Sequence, residues 1–170
     1  TARKQNANEV LEALSDFAGD FVVATAGPDL ESVLAARGAG TDTISEEHRT
    51  AVANLDVGGG TTNIAVYQKG TLRGVCCLDI GGRLIKIADG KISYIFHKTK
   101  KLAEDHGIAI AVGDRADEDK LYRICCLMAD ELAKSLHLLP ADEAHKALYT
   151  NDGAMLPRSE ERRVGKECRS

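Results

Sequence analysis

A chain of 170 residues with 22 basic and 26 acidic side chains is net negative, at −4, a balance that argues against a nucleic-acid partner and an anionic membrane surface. No run approaches the roughly 18 apolar residues of a membrane span, and no charged-then-apolar signal segment opens the chain, so the expected location is cytoplasmic. The length suits one domain with a real core or a piece of something longer. The opening TARKQNANEVLEALSDFAGD, which runs toward a helix without a starting methionine, favours the piece.

Asn8 to Phe17 places Val10, Leu11, Leu14 and Phe17 on one helical stripe, and FVVATAG, Phe21 to Gly27, is a short β-branched run expected as a buried strand. Pro28 with Asp29 and Glu31 starts a helix, since proline fits the first turn and acids suit the positive end of the dipole. Those acids would repel a phosphate, so Gly27 is not read as a phosphate site. Gly38 and Gly40 stop this helix, and TDTISEEHRT, Thr41 to Thr50, reads as a polar connection with Ser45 as a candidate cap.

Strands are expected over Val52 to Val57, around Ile64 and Val66, and over Leu72 to Leu78, with Lys69-Gly70 as the turn into the last. Gly81-Gly82 breaks the run. Arg83 to Phe96 is a hairpin about Asp89-Gly90, Lys100 to His106 a short polar helix or turn, and Ile108 to Val112 a short strand or apolar connector. The strongest helix comes next: Leu121, Ile124, Cys125, Met128, Leu132, Leu136 and Leu139 recur at spacings of three and four, Asp130, Glu131 and Lys134 are expected to face away, and Pro140 limits it.

Four cysteines form the adjacent pairs Cys76-Cys77 and Cys125-Cys126. Neighbours in a strand point to opposite faces and neighbours in a helix diverge by about 100°, so neither pair chelates one metal ion, and all four are expected to be buried small hydrophobes. A fifth, Cys168, lies in RSEERRVGKECRS, Arg158 to Ser170, which has no apolar periodicity and resembles the translation of a sequencing adapter joined to a coding fragment. Setting aside its five basic and three acidic residues leaves 17 basic against 23 acidic, net −6.

The stretch NLDVGGGTTNIAVYQKG, Asn54 to Gly70, carries the chemistry. A nucleotide P-loop needs Gly-Lys-Ser or Gly-Lys-Thr leading into a helix, and no lysine comes after the glycines. A dinucleotide fingerprint needs a third glycine where Asn63 stands, and the residues beyond Asn63 alternate as a strand. The remaining reading is strand, glycine-rich turn, strand, whose amides can lie against phosphate oxygens because Gly58, Gly59 and Gly60 have no side chains to hold them off. Gly59 is expected at positive φ, where a branched side chain would be strained and would fill phosphate space. Asp56 at the strand end could hold a hydrated magnesium ion or orient a water, and Thr61 and Thr62 offer hydroxyls to a terminal phosphate or an attacking water.

LDVGGGTTNIAVYQKG resembles the second phosphate motif of the superfamily of actin, heat-shock chaperones and sugar kinases, in which two related lobes close over ATP and magnesium. The resemblance implies that Asp56 is the magnesium- or water-orienting acid, that Gly58, Gly59 and Gly60 form the phosphate cradle, and that Thr61 and Thr62 contact the γ-phosphate end. Where Asn63 stands the superfamily often has a second acid. The flanks GDFVVATAGPDLESVLAARGAG and CLDIGGRLIKI narrow the match: with them the chain resembles the ethanolamine ammonia-lyase reactivating factors, a family Asn63 also fits, from Thr1 to about Pro157.

That resemblance implies an α/β fold, a partial actin-like (ribonuclease H-like) ATPase domain over residues 1–157 with a glycine-rich phosphate hairpin in a mixed sheet flanked by helices. Residues 158–170 are expected to be a non-native, adapter-derived tail. The implied activity is chaperone-like: use of ATP and magnesium to exchange damaged cobalamin on inactivated ethanolamine ammonia-lyase for intact adenosylcobalamin, in the cytoplasm or with a bacterial microcompartment. Asp56 and Thr61 are the expected catalytic residues, with Gly58, Gly59, Gly60, Thr61, Thr62 and Asn63 binding nucleotide. The family's first phosphate loop and adenosine motif have no counterpart in these residues, so the chain is expected to be an internal fragment. A cell-division scaffold or actin-like filament, and a sugar or acyl kinase, are the alternatives with the same motif.

Overall fold

The computed structural model describes residues 28–150. The helix expected from Asn8 and the strand expected at Phe21 to Gly27 lie outside them, as does the segment from Arg158. Helix α1 (Pro28–Gly38) opens on proline with Asp29 and Glu31 in its first turn and Arg37 in its last, charges that match both ends of the helix dipole. Thr41 to Glu47, expected as a polar connection, is a second helix, α2. Gly40, left-handed at φ 72°, redirects the chain, and its carbonyl accepts from Ile44 N at 3.0 Å. The buried residues of α2 are polar, Thr41 and Ser45, which hides the helix from apolar periodicity. Ser45 is fully buried and is not a cap: its hydroxyl donates to the Asp42 carbonyl at 2.8 Å and accepts from Gly70 N at 3.0 Å.

Three strands come next, β1 (Ala51–Val57), β2 (Thr62–Gln68) and β3 (Thr71–Leu78), paired in the order β1-β2-β3. Every described pairing is antiparallel, where the family resemblance implies a mixed sheet. Connections as short as Gly58–Thr61 and Lys69-Gly70 can only return the chain beside itself, since a parallel crossover needs a dozen or more residues. Lys69 at φ 52° and Gly70 at φ 74° form the expected turn. The second hairpin, β4 (Ile85–Ala88) with β5 (Lys91–Ile95), turns on Asp89 at φ 49° and Gly90 at φ 71°, the left-handed pair that a two-residue hairpin of matching twist requires.

Helix α3 (His97–Asp105) begins before the expected Lys100, and the stretch after it is a connector that buries Ile108 and Ile110. Helix α4 (Glu118–Ser135) is capped by Asp117, whose carboxylate accepts from Lys120 N at 2.8 Å. It stops short of Leu139 because His137 takes φ 58°. Leu138 N then bonds the Ala133 carbonyl at 2.9 Å and His137 N the Lys134 carbonyl at 3.0 Å, a Schellman closure. A short helix α5 (Glu143–Lys146) is capped by Asp142.

The sheet is packed on both faces. On one, Ala65, Tyr67 and Val75 meet Ala36 of α1; on the other, Ile64, Cys76, Leu78 and Ile80 meet Leu148, Tyr149 and the Met128, Leu132 and Leu136 side of α4. Nearer its N-terminus α4 buries Ile124 against Ile92, Ala103, Ile108 and Ile110. Cys76 and Cys77 are buried as expected, and burial pushes the Cys76 thiol up to about 12. Cys125 and Cys126 are exposed, contrary to expectation: at their height on α4 the packed side is the one that carries Leu121, Ile124 and Leu127.

Glu131, expected to face solvent, is 3% exposed. Its carboxylate accepts from Lys134 Nζ at 2.6 Å and lies 2.7 Å from His145 Nδ1, while His145 Nε2 lies 3.2 Å from the Tyr149 hydroxyl. An imidazole protonated on Nδ1 satisfies both contacts, donating to Glu131 and accepting from Tyr149. The segment after α5 is thereby held against β3: Tyr149 bridges Leu78, Asp79 N donates to the Leu148 carbonyl at 2.7 Å, and Thr150 N donates to the Cys77 carbonyl at 2.9 Å.

Candidate functional site

The hairpin β1-β2 ends on the rung Val57–Thr62, and Gly58 N donates to the Thr61 carbonyl at 2.9 Å, so Gly58 to Thr61 is the turn. A second glycine loop, Asp79 to Arg83, lies against it. Gly82 N donates to the Gly58 carbonyl at 2.9 Å and Arg83 N to the Gly59 carbonyl at 2.8 Å. The approach is close enough that a Cβ on Gly81 would stand 2.7 Å from Gly59 C and Gly60 N, and 2.8 Å from the Gly58 oxygen.

This interlock sorts the polarity of the turn. Two of its carbonyls are occupied by the second loop, whereas the amides of Gly59, Gly60 and Thr61 donate to nothing among the described residues. Gly58, Gly59 and Gly60 are exposed. A turn with bonded carbonyls and unspent amides offers partial positive charge to a ligand oxygen.

None of the three glycines is left-handed, which corrects the expectation of a positive φ at Gly59. Room for a side chain differs along the turn: a Gly58 Cβ would crowd the Thr61 carbonyl oxygen at 3.2 Å, a Gly59 Cβ would lie in ordinary contact with the Arg83 stem, whose Cδ is 3.4 Å away, and a Gly60 Cβ would meet nothing within 4 Å among the described residues.

Of the side chains expected to serve the site, Asp56 and Asn63 are register partners one rung before the turn, on the sheet face shared with Ala65 and Tyr67. Asp56 is exposed with no cation in ion-pair contact among the described residues. Asn63 Oδ1 is buried and meets no hydrogen-bond donor among the described residues. Thr61 is half-buried at the turn. Thr62 is separated from them: it is fully buried on the opposite face and gives its hydroxyl proton to the Ile80 carbonyl at 2.7 Å, so its donor holds the second loop in place.

Sequence reasoning took Gly81-Gly82 only as a strand break and did not connect it with Gly58 to Gly60. The available signal was a second pair of glycines at the far end of the strand adjacent to β2, where β3 returns its C-terminus to the same edge as the turn.

Fold and site together define an α/β protein presenting a glycine turn on a sheet packed between helices. The model of the family described as ethanolamine utilisation protein EutA matches residues 1–163, and the chain belongs to that family. It is 37% identical over 169 residues to the ethanolamine ammonia-lyase reactivase EutA of Salmonella typhimurium, covering 90% of this chain and 36% of that protein. It is 45% identical over 106 residues to the protein of the same name from Escherichia coli, covering 62% of this chain and 22% of that one. The chain thus spans about a third or less of the length of these relatives. It is also 32% identical over 79 residues to the cell division protein FtsA of Buchnera aphidicola, covering 44% of this chain and 18% of that protein. No solved structure matches. No helix among the described residues is long and apolar enough to cross a membrane.

Proposed function

We propose that this chain supplies the phosphate-binding hairpin of an actin-like ATPase that reactivates ethanolamine ammonia-lyase, with ATP and magnesium as its ligands and cobalamin exchanged on the partner enzyme. The observation that carries the nucleotide reading is the interlocked turn, whose carbonyls of Gly58 and Gly59 are bonded by the second loop while the amides of Gly59, Gly60 and Thr61 donate to nothing among the described residues. The partner reading rests on family membership and on the names of the two reactivase relatives. The actin-like reading of the fold draws on the likeness to FtsA, which covers less than half of the chain.

In this proposal the amides of Gly59, Gly60 and Thr61 bind phosphate oxygens, and Thr61 adds a hydroxyl at the terminal phosphate. Asp56, exposed at the end of β1, accepts from metal-bound waters or orients the attacking water. Asn63 beside it contributes a neutral amide to the nucleotide site, and Thr62 acts from behind by fixing Ile80 and the loop after it. Magnesium, when bound, neutralises phosphate charge that the amides only partly offset.

The test is Asp56→Ala in the full-length protein. Turnover of ATP is expected to fall at least about tenfold while magnesium-ATP affinity changes by less than about threefold, because binding is shared with other groups and the organised water is not. Unchanged turnover removes Asp56 from the mechanism. The FtsA likeness gives a second reading, a polymerising actin-like scaffold. Nucleotide-dependent sedimentation without recovery of inactivated lyase selects it.

A further inference from the structure

We propose that Arg83 is a phosphate-binding residue of the glycine turn, supplying from the second loop the positive charge that neither strand of the hairpin carries. The proposal rests on the nucleotide reading and adds a residue and a role to it. Around the turn the only formal charge on β1 near its end is the carboxylate of Asp56, which opposes an anion. Three amides offset one negative charge incompletely, so a polyphosphate needs a cation from elsewhere.

Arg83 is built to provide one. Its backbone is fixed on both sides: its own amide bonds the Gly59 carbonyl at 2.8 Å, and Leu84 is buried with its carbonyl accepting from Phe96 N at 2.8 Å. Its stem then runs over Gly59, with Cβ, Cγ and Cδ at 3.8, 3.7 and 3.4 Å from the position a Gly59 Cβ would take. The Arg83 methylenes therefore lie alongside the turn at Gly59, within reach of the same face that its exposed amides offer to ligand oxygens. Arg83 is exposed and has no carboxylate within ion-pair distance among the described residues. An arginine whose stem is packed and whose head is unpaired loses little further freedom on binding, and its planar fork suits two phosphate oxygens at once.

The experiment compares the full-length protein with Arg83→Gln and Arg83→Lys, titrating each calorimetrically with magnesium-ATP and with adenosine. Arg83→Gln is expected to weaken magnesium-ATP at least about tenfold, the range of a charge-assisted hydrogen bond. Adenosine affinity and melting temperature should stay at parent values, since the side chain is exposed and its loss leaves the Arg83 N to Gly59 O bond in place. Arg83→Lys, which keeps the charge without the fork, should recover part of the loss, and the parent's affinity should fall more steeply with salt than that of Arg83→Gln.

A parent that binds magnesium-ATP while Arg83→Gln binds it within about twofold overturns the role of Arg83 and leaves the nucleotide reading standing. Equal losses for ATP and adenosine overturn it too, since they mark a loop displaced as a whole. A parent with no measurable magnesium-ATP affinity sinks the nucleotide reading and the Arg83 assignment with it.

Discussion

Gly81→Ala should open the two glycine loops and take the phosphate turn with it. The added methyl would meet Gly59 C, Gly60 N and the Gly58 oxygen at 2.7 to 2.8 Å, and all three are backbone atoms with no flexible end to move aside. The loops must separate, which breaks Gly82 N to Gly58 O and Arg83 N to Gly59 O together. Each hydrogen bond is worth about 1 kcal/mol net and an overpacked contact costs about 1 to 3 kcal/mol, so a loss near 3 kcal/mol is expected. Gly82→Ala is the matched control, since its Cβ would approach nothing closer than the Gly58 oxygen at 4.0 Å. Urea unfolding of the two variants decides the matter: equal midpoints mean the loops yield without cost. In the full-length protein Gly81→Ala should also bind magnesium-ATP at least about tenfold more weakly, because released carbonyls then face the ligand beside the amides.

The features legible in the sequence are those whose signal is local. Lys69-Gly70 and Asp89-Gly90 are turn residues for the conformations they adopt, and the alternation on either side of each marks the strands they join. The glycine turn itself was legible because three glycines between alternating runs leave few structures for the chain. The features that sequence missed depend on which neighbour covers a residue. Thr41 and Ser45 are polar, yet they are the buried face of α2, so apolar periodicity reads that helix as a loop. Cys125 continues the Leu121, Ile124, Met128 stripe by spacing but lies off the packed side that carries Leu121, Ile124 and Leu127. Gly81 and Arg83 act across a contact between segments about 20 residues apart, and nothing in either segment alone says that they touch.

The same limit applies to Glu131, although here part of the signal was present. Ile124, Glu131 and Ser135 are the buried residues of α4, and their spacings of seven and four put them on one face. Charge led the sequence reading to turn Glu131 outward. A carboxylate 3% exposed is tolerated only when paired and hydrogen-bonded, and Lys134 and His145 meet that condition. Burial alone would raise the Glu131 pKa, but hydrogen bonds from His145 and Lys134, with the Lys134 charge, outweigh it and hold the carboxyl below its ordinary value of 4.5. Lys134 is correspondingly held above its ordinary 10.5, as its bonds to Glu131 and Asp142 overcome its own desolvation.

Glu131→Ala is therefore expected to destabilise the protein by about 3 kcal/mol at neutral pH, the scale for removing one partner of a buried charged pair. His145 Nδ1 loses its acceptor at 2.7 Å, Lys134 retains only the exposed Asp142 at 2.9 Å, and the anchor of Tyr149 against β3 weakens. Glu131→Gln keeps the shape and one acceptor oxygen, so it should cost less. The pH dependence separates charge from packing. Because the folded pKa of Glu131 is lowered, its contribution is full above the unfolded value near 4.5 and is lost as pH falls through the lowered folded value. Lys134 has the opposite sign: its contribution is full below 10.5 and is lost as pH rises through its raised folded value. Urea midpoints of the parent should fall on acidification below pH 4.5 more steeply than those of Glu131→Gln, which has no carboxyl to protonate at that position. Parallel midpoint curves for the two proteins in that range would mean that the Glu131 charge contributes nothing, and that packing alone holds α5 and Tyr149 against the sheet.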